Sequence, residues 1–129
     1  MDIREAIEKY RPCCEQEARD KAVILSFIDS NPDAFERSNL IAHMTASAWV
    51  VNPARDKVLM VYHRIYDSWS WTGGHADGER DLLSVALREV REETGVKSAR
   101  PVTEDIYSLE VLTVDGHEKR GEYVPSHLH

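Results

Sequence analysis

Residues 73–96 read GGHADGERDLLSVALREVREETGV, a glycine loop running into a helix, and no other stretch limits the fold as tightly. Asp81 suits the N-cap, because its side chain can accept from a free amide of the first turn. Gly95 stands where a left-handed C-terminal cap belongs. At about 100° per residue, Leu82, Leu83, Val85, Ala86, Leu87 and Val90 fill one arc of the helix. Arg80, Ser84, Arg88 and Arg91 fill the opposite arc. Glu89 and Glu93 break the pattern: both fall on the apolar side, with Glu92 at their flank. An inward carboxylate is costly without a partner. Three that converge repel one another and need cations. Arg88 supplies one at i,i+4 to Glu92. A hard divalent ion such as Mg2+, which prefers oxygen ligands, is the natural remaining partner. The competing reading is a solvated helix laced with Glu–Arg pairs. The inward side of the glutamates and the glycine loop ahead of them weigh against it.

On these residues the segment resembles the Nudix box, G-x5-E-x7-R-E-U-x-E-E-x-G-U, where U is a bulky apolar residue. Gly74 opens it, and Arg88, Glu89, Val90, Glu92, Glu93, Gly95 and Val96 fill its second half at the required spacing. One position departs: Arg80 stands where the pattern has its first Glu, and Glu79 is one residue early. The resemblance implies an α/β fold, a Nudix-like α/β/α sandwich with a mixed sheet. It implies a metal-dependent hydrolase that cleaves a pyrophosphate bond in nucleoside diphosphate-X substrates by water attack at phosphorus. It also implies Mg2+ or Mn2+ as cofactor, held by Glu89, Glu92, Glu93 and the carbonyl of Gly73. Arg88 would orient a glutamate, and one of the glutamates would take the water's proton. In the family pattern the first Glu pairs with the box arginine and steadies loop against helix. Arg80 is unable to do this for Arg88, so Glu79 or Asp77 is expected in that place, with weakened turnover. The alternative is a Nudix-fold nucleotide-sensing module that binds without hydrolysis.

A chain of 129 residues supports one domain with a modest core. The net charge of −7 argues against a general binder of nucleic-acid backbones, which needs a basic surface. It leaves a small nucleotide substrate open, because bound metal ions invert the local field. Residues 1–10 are charged and lack the apolar centre of a signal peptide. No run approaches the length of a membrane span. Cys13 and Cys14 are adjacent and read as free thiols in a reducing compartment, so the expected location is the cytoplasm. Residues 1–38 read as a helical arm broken at Pro12, packed on the core or on a partner subunit. Residues 39–129 read as the Nudix-like domain.

Residues 40–51 read as a strand, 52–56 as a turn and 57–65 as the returning strand of a hairpin. Residues 66–71 read as a polar turn carrying two tryptophans. Trp71 suits a core cap; Trp69 suits a cap or a stacking surface for a base equally well. Candidate substrate contacts are Gly74, His75, His63 and Trp69. His75 either reaches a phosphate or braces the loop. His63 precedes the loop, although a lone strand histidine, like His43, is more often structural. No G-K-[ST] follows the glycines, so the loop is not a Walker A motif. Residues 105–114 read as a strand, 115–117 as a turn and 123–129 as a strand. His127 and His129 share a face there; such a pair can bind metal, but no third ligand is evident from spacing. The family usually continues with another strand and a helix. The expectation is therefore a domain lacking its C-terminal part, with an unpaired edge near His129 that favours strand addition or a homodimer.

Overall fold

A computed structural model describes residues 2–129. Asp2 starts the first helix, α1 (Ile3–Lys9), by accepting from the Glu5 amide. Pro12 follows, and α2 (Glu15–Ser30) begins beyond it. Arg4 joins the two helices, donating from Nε and Nη2 to the Asp29 carboxylate at 2.6 and 2.8 Å. Residues Ala34, Phe35 and Ala76 form a buried cluster, and Ile3, Phe27 and Ile28 from the helical arm pack against it beside Met44 and Leu82. The arm and the glycine loop therefore share one core. Among the described residues, no helix is long and apolar enough to cross a membrane.

The expected hairpin over residues 40–65 forms only near its turn. Strand β2 (Val50–Val51) pairs with β3 (Val58–Leu59), and the Asn52 side chain closes the turn by accepting from the Asp56 and Lys57 amides. The preceding strand, β1 (Thr45–Ala48), leaves this partner and pairs antiparallel with β6 (Thr72–His75). Bare glycines permit that approach: a Cβ on Gly73 would come within 3.0 Å of the Ala46 carbonyl oxygen. The returning chain, β4 (Val61–His63), pairs instead with β5 (Ser68–Ser70), so part of the expected polar turn is strand. Helix α3 (Leu82–Thr94) lies across β1 and β6. Its Asp81 cap accepts from Ser84, Gly95 closes it at φ 77°, and it buries Val85 and Val90.

The expected strand over 105–114 shrinks to β7 (Thr113–Val114). The backbone upstream finds side-chain partners in place of a neighbouring strand. The Val111 amide donates to Asp20, and the Tyr10 hydroxyl, whose proton goes to Glu17, lies 3.2 Å from the Tyr107 carbonyl oxygen. The expected turn at 115–117 moves to Arg120 and Gly121, both at positive φ, between β8 (His117–Lys119) and β9 (Glu122–Val124). Last comes β10 (His127–Leu128), antiparallel to β7. The unpaired edge expected near His129 is absent. A parallel bridge joins Ala42 to Leu128, with amide bonds from Leu128 to Ile41 and from His43 to Leu128. The fold is thus α/β, with helices set against short antiparallel strand pairs.

Candidate metal and catalytic centre

The last two turns of α3 bring Glu89 and Glu93 to the glycine pair of β6. A Cβ on Gly74 would lie 2.6 Å from Glu89 Oε1, so only glycine leaves space for that carboxylate. The Gly73 amide donates to Glu93 Oε1 at 3.1 Å. Arg88 reaches back from the helix to the strand, donating from Nη2 to the His75 carbonyl at 3.3 Å and to Glu89 Oε1 at 3.4 Å. The expected pairing of Arg88 with Glu92 is therefore replaced by Glu89 and a backbone oxygen, and Glu92 lies exposed, as does Glu93, which was expected to face inward. Partial burial holds the Glu93 carboxyl above its usual range; the Gly73 amide opposes this, while Glu89 and Glu92 add to it. Glu89 is largely covered, its side chain 17% exposed. Arg88 is the cation bonded to this set, and the carboxylates outnumber it. The donors are all oxygen, which fits a hard divalent ion.

Arg80 does not take the place of a pairing glutamate. Its guanidinium lies over the Phe35 ring, 4.4 Å from the centroid, and so anchors the loop to the core by a cation–π contact. Glu79 accepts from the Asp81 amide. Asp77 takes a two-pronged bond from Arg37 at 2.6 and 2.7 Å. Neither residue bonds to Arg88 as expected; the strand carbonyl of His75 does that work. Arg37 belongs to the loop after α2, and nothing in its spacing from Asp77 announces the pair.

The four expected substrate contacts fall in two places, Gly74 and His75 side by side on β6 and His63 and Trp69 on the β4–β5 pair. Gly74 lies beneath Glu89. His63 faces Tyr66, ring centroids 4.7 Å apart, with a buried Nδ1 that lacks a partner. Trp69 is 68% exposed and meets Tyr62 edge-on at 5.6 Å. His75 enters a group of imidazoles with His43, His127 and His129, whose rings stand about 5 Å apart. Burial lowers the His75 pKa to about 4, with Arg37 and His43 adding to it, and the His129 pKa to about 3, with the surrounding imidazoles adding to it. His43, a lone histidine beside a strand, carries no sequence signal for membership of the group. Its role in the group depends on strand pairing that local periodicity does not reveal.

A family model, the NUDIX domain, matches residues 42–125. The chain belongs to the Nudix family. The match takes in β1, β6 and the whole of α3, and with them all three glutamates. A relative, Nudix hydrolase 27, chloroplastic, from Arabidopsis thaliana, is 35% identical over 83 residues, covering 64% of this chain and 37% of that protein. The Nudix chain described here thus spans little more than a third of the length of the curated relative it matches.

Proposed function

We propose that this Nudix protein is a metal-dependent hydrolase that cleaves a pyrophosphate bond in a nucleoside diphosphate linked to a second group. The observation that carries the reading is the seating of Glu89 and Glu93 against Gly73 and Gly74, within the stretch that matches the family. Glu89, Glu92 and Glu93, with the Gly73 carbonyl, would hold Mg2+ or Mn2+. When bound, the ion neutralises pyrophosphate charge and makes water a better nucleophile. The chain's own groups supply position. The Gly73 amide fixes Glu93, and Arg88 ties α3 to the strand while holding Glu89. One glutamate takes the proton as water attacks phosphorus and a phosphate oxygen leaves. Trp69, exposed beside Tyr62, offers a ring on which a base can stack. The exposed Cys13 and Cys14 would stay reduced in a compartment such as the cytoplasm, the location this reading proposes.

The test is product release from a panel of dinucleotides, nucleotide sugars, ADP-ribose and nucleoside triphosphates, run with Mg2+ or Mn2+ in heavy-oxygen water. The reading requires metal-dependent cleavage with the label in a phosphate product. No cleavage of any member, or label recovered only in the non-phosphate product, sinks it.

A further inference from the structure

We propose that His43, His75 and His129 form a second metal site, an all-imidazole one for a borderline transition-metal ion such as Zn2+. Their ligand atoms all lie within 4.8 Å of one another. The three come from stretches that only the fold unites: His43 precedes β1, His75 ends β6 and His129 follows β10.

His43 gives the strongest argument. It is 5% exposed, and its buried Nε2 has no hydrogen-bond partner. Such an atom is costly to leave unsatisfied. Its Nδ1 lies 3.1 Å from the Asn39 carbonyl oxygen. Metal-ligating histidines commonly donate one ring N–H to a backbone carbonyl in this way, which leaves the other nitrogen's lone pair for the ion. His127 repeats the arrangement, with Nδ1 2.8 Å from the Pro125 carbonyl oxygen and Nε2 3.0 Å from His129 Nε2. Two ring nitrogens so close need a proton or a cation between them. His127 lies outside the three whose ligand atoms are mutually within 4.8 Å, so it positions His129 through this contact rather than completing the ligand set.

This site is separate from the carboxylates. A Cβ on Gly74 would point at Glu89 of α3. Neighbouring strand residues point to opposite faces, so His75 projects away from the helix. The donors also differ in kind: imidazole nitrogen suits Zn2+, Ni2+ or Cu2+, whereas carboxylate oxygen suits Mg2+ or Mn2+. An ion on these nitrogens would clip β10 to the β1–β6 pair and stiffen the strand that carries Gly73 and Gly74. The inference does not depend on hydrolysis.

The experiment is Zn2+ titration of the metal-stripped protein in excess Mg2+, read by calorimetry and thermal unfolding, with Co2+ absorption as a spectroscopic probe. The expected result is one tight ion per chain, a raised Tm and a Co2+ spectrum of nitrogen ligation. The double variant H127Q/H129Q should lose at least about tenfold in affinity, while Glu93→Gln keeps the Zn2+ site. His129 and His127 are only half-buried, so this variant is the one least harmful to folding; circular dichroism checks it. The Co2+ spectrum of the wild-type protein needs no variant. Absence of Zn2+ uptake, unchanged uptake in H127Q/H129Q, or loss confined to Glu93→Gln would overturn the proposal.

Discussion

A methyl group on Gly74 would fit only if the Glu89 carboxylate moved, and this makes it a sharp single-residue test of the site. Gly74→Ala would drive Cβ into the Glu89 carboxylate. The expected outcome is a folded protein whose metal-dependent rate falls at least about tenfold, because a carboxylate displaced by an ångström no longer holds a reacting group in place. Circular dichroism and steady-state kinetics on the same sample check it. Arg80 invites a different expectation. Its contact with Phe35 is a packing contact, so Arg80→Ala should lower stability by roughly 0.5–1 kcal/mol in urea unfolding while leaving the Glu89–Glu93 geometry intact. The residue alphabet alone gave its identity as a departure from the box but not its partner, since Phe35 lies 45 positions upstream of it in the sequence.

At the scale of elements, α3 was legible because its signals are local. The Asp81 cap, the Gly95 stop and the buried Val85 and Val90 all follow from 3.6-residue periodicity and cap chemistry. Val85→Ala should cost roughly 2 kcal/mol, by loss of buried methyl groups and the cavity left behind; a shift in denaturation midpoint with unchanged m-value checks it. Strand partners were not legible. Residues 40–51 carry one apolar pattern yet serve two partners, β6 and β3, because Gly73 allows a close approach that the pattern does not encode. The Arg4–Asp29 link between α1 and α2 belongs to this scale too. Arg4's hydrogen bond holds Asp29 below its ordinary 3.8. Its stabilisation is therefore fully present above that value and lost as pH falls through the lower folded value. Arg4→Ala should unfold at a slightly lower temperature than wild type near neutral pH, and the difference should vanish in strong acid. Solvent exposure keeps the effect small.

Across the whole molecule, the helical arm and the segment before β7 hold each other. Within the arm Glu17 accepts from the Tyr10 hydroxyl and the Cys13 amide; across to the later segment Asp20 accepts from the Val111 amide. Asp20→Ala should speed amide hydrogen exchange at Val111 with little change at Val85 or Val90, because the global core is untouched. The same long-range docking explains what the sequence concealed about the histidines. His127 and His129 advertised a shared face, but their companions His43 and His75 arrive only through β1–β6 pairing and the bridge at Ala42. The carboxylates needed no such docking, since one helix carries them all. That contrast makes Glu89, the most covered of the three carboxylates, the residue on which hydrolysis is best tested. The decisive measurement is the Mg2+- or Mn2+-dependent rate of nucleoside diphosphate-X cleavage by wild type and Glu89→Gln at saturating metal. The expected result is a folded variant that loses at least about a hundredfold in kcat. A folded Glu89→Gln variant that cleaves at the wild-type rate would contradict it.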